Sequence, residues 1–136
     1  MIEAAQVVDE ARRWVGVPFR HLGRDKNGID CVGLPIVVGK ALSLFPDDFD
    51  SGVYGRLPTG QLAARIGQHC TPLATVKPGT IIVIQWLVNA AHVAICTGPN
   101  MIHAYETLGR VIEHGYRGRW VRITHSVWGI PGVRYE

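Results

Sequence analysis

Cysteine is scarce and poorly spaced for crosslinking: the chain has 3, at positions 31, 70 and 96, and no CxxC pair. An odd count leaves at least one thiol unpaired, which argues against a disulfide framework, and a zinc knuckle lacks its ligand spacing. Charge is also sparse, at 18% of residues against 47% hydrophobic, the reverse of what a disordered chain needs. No apolar run approaches the roughly 18 residues of a membrane helix, and the opening Met-Ile-Glu-Ala-Ala has no basic segment leading into an apolar one. Neither membrane insertion nor a signal peptide is therefore expected. Repeats, low-complexity tracts and linkers are missing too, so the 136 residues are expected to form a single domain, 1–136, around one core.

The net charge of +3 suits an acidic polymer in a general way. The basic residues toward the C-terminal end (Arg110, Arg117, Arg119, Arg122, Arg134) are not arranged as a stacking platform for bases. They read as a solvated face, and no nucleic-acid partner is expected.

Ala4, Val7, Val8, Ala11, Trp14 and Val15 recur at i, i+3, i+4 and i+7, which predicts an amphipathic helix ended by Gly16 and Pro18. After a polar loop, the apolar run Ile36 to Leu44 predicts a second helix opening near Cys31, with Asp30 as its N-cap. Residues 46–60 are rich in turn formers, and Gln61 to Gln68 read as a short helix. From Pro78-Gly79 onward the pattern changes. Thr80–Trp86, Ala91–Thr97, Met101–Tyr105, Arg110–His114 and a stretch around Val121–Trp128 read as strands. Helices followed by strands with short connections predict an α+β fold with an antiparallel sheet.

Cys31 falls where the second helix begins. A free thiol titrates near 8.5, and a helix N-terminus or nearby imidazolium lowers this to roughly 3.5–7.5. The same unpaired N–H groups hold an oxyanion when a carbonyl is attacked. Both features are expected of a nucleophile, although a lone cysteine also serves as a small buried hydrophobe. Pro35 would clash with the carbonyl four residues earlier in a helix established by Cys31, so the helix starts later or kinks.

Alternation along His92–Cys96 places His92, Ala94 and Cys96 on one face, with Val93 and Ile95 toward the core. On the next strand His103 shares a face with Met101 and Tyr105. An even loop, such as Gly98-Pro99 alone, pairs Ala94 with His103 and leaves His92 on the diagonal, about 7–8 Å away. An odd loop puts the two histidines on opposite faces. With the even register, His92 is the candidate base for Cys31 and His103 its orienter. Cys31, His92 and His103 are also a possible zinc set, without dedicated spacing. His21, His69, His114 and His125 read as structural.

Five segments in order carry a resemblance: Gly16-Val17-Pro18-Phe19, Gly28-Ile29-Asp30-Cys31-Val32-Gly33-Leu34, Lys77-Pro78-Gly79-Thr80, His92-Val93-Ala94-Ile95 and Met101-Ile102-His103-Ala104. Together they resemble the NlpC-type family of papain-like cell-wall peptidases. The resemblance implies helices packed on an antiparallel sheet and hydrolysis of amide bonds in peptidoglycan stem peptides, without metal or cofactor. It also implies Cys31 as nucleophile, His92 as base and His103 as the third, orienting residue. Phe19 stands where the family usually has a tyrosine whose hydroxyl assists near the oxyanion. That help would come instead from the Cys31 N–H or from His21, so Phe19, His21 and Asp30 are the expected oxyanion and groove residues. Pro35 is the second departure. The segment Pro18 to Asp25 resembles the branch found in bacteriophage tails and gene-transfer particles, which implies tail proteins as partners and a place in the virion tail. Phe19 and Pro35 keep open a rival reading, a structural tail component that retains the fold without turnover. An acyltransferase on the same fold is a third.

Overall fold

The structure is a computed structural model that describes residues 1–50, 61–85 and 92–135. The expected strand ends at Trp86 and Ala91, and the turn-rich stretch beyond Asp50 to residue 60, lie outside the described residues. The chain begins with β1 (Ile2–Glu3) and α1 (Ala4–Arg12), followed by β2 (Arg24–Asp25), β3 (Gly28–Ile29) and α2 (Gly33–Ala41). After α3 (Gln61–Gly67) come β4 (Thr71–Leu73), β5 (Ile81–Ile84), β6 (His92–Cys96), β7 (Asn100–Tyr105) and β8 (Arg110–Gly115). The chain closes with α4 (Arg119–Arg122), β9 (Thr124–Gly129) and β10 (Val133–Arg134).

Six strands form one antiparallel sheet in the order β4-β9-β5-β6-β7-β8. Helices α1 to α3 precede it in sequence, as the change in residue pattern predicts, whereas α4 falls between β8 and β9. The buried stripe of α1 is Ala4, Val7, Val8 and Ala11, and it packs on α2. Gly33 to Gly39 of α2 are all buried, because this helix lies between α1 and β6. Val93, Ile95, Ile102, Ala104 and Val111 meet these helices from the sheet and are fully buried. Each of the Val and Ile side chains contributes roughly 1.5–3 kcal/mol relative to exposure. The opposite face of the sheet holds a smaller cluster, Ile82, Ile84 and Cys96, covered by Val76, Tyr116, Trp120 and Ile123.

Two elements differ from the sequence expectation. Helix α1 ends at Arg12, and the following turn buries Trp14 while leaving Val15 45% exposed. Residues 119–122, expected near the start of a strand, instead form α4 after Gly118, whose φ of 61° turns the chain. Helix α4 lies where Trp120 contacts His103 and His114, a tertiary contact that local alternation does not register. Among the described residues no helix is long and apolar enough to cross a membrane.

Candidate active site

The entrance to α2 is built around Asp30. Its Oδ1 accepts the Gly33 N–H (2.9 Å) and the Arg24 guanidinium (2.8 Å), and its Oδ2 accepts the Leu22 N–H (2.9 Å). The Leu34 N–H donates to the Asp30 carbonyl (3.3 Å), and Val32 already has helical φ and ψ of −74° and −32°. The expected cap is therefore made, with the carboxylate bonded into the loop at 2% exposure. Arg24 also binds Asp50 through Nε (2.9 Å) and Nη2 (3.2 Å), tying loop 22–25 to the segment after α2. Regular helix starts at Gly33, so Pro35 falls in the first turn, where its missing N–H is tolerated. Gly33 is required by space. A Cβ there would stand 2.8 Å from the Gly23 carbonyl oxygen and 2.9 Å from Arg24 Nη1.

Cys31 sits between cap and helix at 7% exposure. Backbone groups of Val93, Val32 and Cys31 itself lie near enough to favour its thiolate, and Val93 on β6 is the residue that follows His92. Such help is expected at a helix entrance, but it does not win. Burial first, and the neighbouring Asp30 carboxylate second, push the thiol up to about 12. The expected low thiol pKa is thus overturned: sequence position supplied the helix N-terminus but not the desolvation.

The register of β6 and β7 pairs Ile95 with Ile102 and Cys96 with Met101. The Thr97 N–H closes on the Asn100 carbonyl (2.8 Å) around the two-residue loop Gly98-Pro99, the even loop that joins the histidines. His92 Nε2 and His103 Nδ1 are 2.5 Å apart. One strand further, Met101 pairs with His114, which repeats the diagonal relation. His103 Nε2 and His114 Nε2 are 2.7 Å apart, and His114 Nδ1 lies 3.0 Å from the Gly115 carbonyl oxygen. His114 is the site residue that sequence reading missed. The available signal was the equal spacing of 92, 103 and 114 across consecutive strands.

This row sets the tautomers when all three rings are neutral. A carbonyl only accepts, so His114 Nδ1 carries a proton toward Gly115. A neutral His114 then accepts at Nε2 from His103 Nε2–H, and His103 accepts at Nδ1 from His92 Nε2–H. His92 Nδ1 is left as the ring's lone-pair nitrogen, the form a general base needs. Burial first, and repulsion from His114 whenever it is protonated, lower His92 to about 3. Burial lowers His103 to about 2, with repulsion from His92 and His114, when protonated, next in effect. Both rings are neutral at physiological pH. The three imidazoles form a row and do not converge, and among the described residues no group of three His, Cys, Asp or Glu is arranged to hold a metal.

Phe19 is half-buried and pairs in parallel with Ile29, two residues before Cys31, while its N–H donates to the Gly109 carbonyl (2.8 Å). His21 is half-buried on the loop that Asp30 anchors through Leu22. Both residues thus lie on segments bound to the α2 entrance.

A cysteine opening a buried helix against an antiparallel sheet, with histidines on the adjoining strands, defines the architecture of a papain-like domain. No family model and no curated protein sequence matches the chain. Solved structures do. The chain is similar to the NlpC/p60 domain of the peptidoglycan hydrolase SagA, with a TM-score of 0.66, 21% identity, and 93% of this chain and 98% of that one covered. It is similar to an NlpC/P60 family protein from Bacillus cereus, with a TM-score of 0.71 and 15% identity, covering 93% of this chain but only 40% of that one. The peptidoglycan hydrolase RipB from Mycobacterium tuberculosis gives 0.62 and 20%, with 93% and 64% covered. The fold is that of NlpC/p60 domains, in agreement with the sequence resemblance.

Proposed function

We propose that the chain is a cysteine hydrolase that cuts amide bonds in the stem peptides of peptidoglycan. The observation that carries this reading is the row of imidazoles ending on His92, whose neighbour Val93 lies near the Cys31 thiol. The resting thiol and imidazole are both neutral, so deprotonation accompanies attack and does not precede it. As Cys31 Sγ bonds to the amide carbonyl carbon, His92 Nδ1 takes the thiol proton, and backbone N–H groups at the α2 entrance receive the oxyanion. His92 then protonates the leaving amine. Water clears the thioester with His92 again as base. In the resting site His103 holds the His92 tautomer. The likeness to structures described as peptidoglycan hydrolases supports the substrate class. The likeness of Pro18 to Asp25 to phage-tail members supports a place at a virion tail tip, acting during cell entry.

The test is release of soluble fragments from purified peptidoglycan or a defined stem peptide, followed by mass spectrometry, with Cys31→Ala as control. Wild type should exceed Cys31→Ala by several orders of magnitude. Equal release by the two folded proteins between about pH 5 and 9 would sink the enzyme reading. A second reading, a structural tail protein without turnover, is favoured by the thiol raised to about 12 and by Phe19 in the tyrosine position. It predicts that equal release, together with co-purification of the chain with tail particles.

A further inference from the structure

We infer that His114 is the proton-holding end of a three-imidazole relay that serves Cys31 through His103 and His92. The inference rests on the hydrolase reading for its purpose and for the step between Cys31 and His92, whereas the contacts among the three rings stand on their own. Contacts of 2.5 Å and 2.7 Å link the three rings, and the Gly115 carbonyl ends the row at 3.0 Å. His92 and His103 are 5% and 0% exposed, whereas His114 is only partly buried. A positive charge is therefore least costly on His114. The Trp120 ring lies 4.9 Å from the His114 ring, centroid to centroid, close enough for its π-face to favour a cation there. The same indole packs 5.3 Å from His103 and shields the middle of the row from water.

The proton steps balance. The thiol proton moves to His92 Nδ1, the His92 Nε2 proton to His103 Nδ1, and the His103 Nε2 proton to His114 Nε2. Because these shifts accompany attack, sulfur ends bonded to the carbonyl carbon and the negative charge on its oxygen, with two neutral imidazoles of reversed tautomer and one imidazolium at His114. Running the relay backward returns the proton through His92 Nδ1 to the leaving amine. His114 touches no substrate and is a positioning and proton-storing residue. The titratable and charged groups around it are His103 on β7 and Arg117, whose side chain packs over Gly115. Arg119 and Arg122 of α4 are exposed, and the Tyr116 hydroxyl is engaged by Thr124 (2.6 Å). Glu113, the adjacent residue on β8, is held instead by Arg12 of α1 and by Asn100.

The test uses the full chain labelled with ¹⁵N, reading imidazole tautomers by two-bond ¹H–¹⁵N correlation at pH 8. Expected are unprotonated Nδ1 atoms on His92 and His103 and a protonated Nδ1 on His114. His114→Phe should abolish the fixed tautomer of His103, while His114→Gln, whose amide oxygen still accepts, should keep it. Neither variant stores a proton, so both should alkylate Cys31 about tenfold or more slowly at pH 8, with Cys70 as internal control. A protonated Nδ1 on His92 in the wild type would overturn the relay. So would unchanged Cys31 alkylation in the folded Gln variant. Because neither readout needs peptidoglycan turnover, a protein that cuts no cell wall can still carry the relay, and the two ideas fail separately.

Discussion

Replacing Asp30 by asparagine should make the protein less stable and its thiol more acidic. The shape of the side chain is kept, so the cost arises from charge and from one reversed donor. Oδ1 of an asparagine still accepts from Gly33 and Arg24, but the carboxylate charge facing Arg24 at 2.8 Å is gone. The Leu22 N–H, now 2.9 Å from Oδ2, would face an amide NH₂. Hydrogen bonds to a charged group contribute about 1.5–3 kcal/mol each, and those of one network do not add. We expect a loss of about 2–3 kcal/mol, and a larger loss for Asp30→Ala, which leaves the Gly33 and Leu22 N–H groups without their acceptor. Urea unfolding at unchanged m-value measures it, and the Asn variant should melt roughly 6–10 °C lower. The Asp30 carboxylate is the second cause holding the Cys31 thiol up, so its loss should shift the pH midpoint of Cys31 alkylation downward. The midpoint, unlike the absolute rate, separates acidity from local opening. A variant as stable as wild type, or a midpoint that stays put or rises, would refute the account of this corner.

Half-maximal alkylation of wild-type Cys31 should occur above pH 10, given a thiol raised to about 12, and fast labelling near pH 6 would contradict its burial. Stability should fall as pH drops from about 6.5 toward 3. His92 and His103 are held well below the unfolded value of about 6.5, so in that window the unfolded chain binds protons the native chain refuses. The slope should approach 1.4 kcal/mol per pH unit for each ring, and NMR titration showing either ring charging near pH 6.5 would contradict it. Gly33→Ala should cost about 1–3 kcal/mol in urea unfolding, because its methyl would collide with the Gly23 carbonyl and the Ile29 side chain, both 2.8 Å away. A neutral result there would mean that loop 22–25 can withdraw from α2 freely.

Local chemistry made part of this molecule legible. The Asp30 cap, the α1 stripe from Ala4 to Ala11 and the long strands follow from short-range pattern and are present, while the sequence left two registers for the Gly98-Pro99 hairpin, of which the even one forms. The two-residue strands β1 and β10 were not legible, since they pair the two ends of the chain and have no period of their own. Arg24 was not legible as the partner of Asp30, because the match depends on the loop folding back through Leu22 at φ 63°. His114 lies on a strand that was expected, yet its role needs the register of a third strand, and a lone strand histidine usually has a structural job. The thiol's ionisation failed for a different reason. A helix N-terminus can be inferred from sequence, but desolvation is a property of everything packed around the atom.

That failure bears on how such a site can work. The backbone groups near Cys31 and the tautomer lock on His92 both prepare proton transfer, whereas burial opposes holding the resulting charges at either atom. A dielectric that keeps His92 near 3 and the thiol near 12 cannot store an ion pair between them. It can host a reaction in which the negative charge passes to a carbonyl oxygen near backbone N–H groups as soon as sulfur loses its proton. In the proposed relay the positive charge moves outward along β7 and β8, because the diagonal register that joins His92 to His103 is repeated to reach His114. Sheet register, set by a two-residue turn and one further strand pairing, thereby decides where the proton can rest.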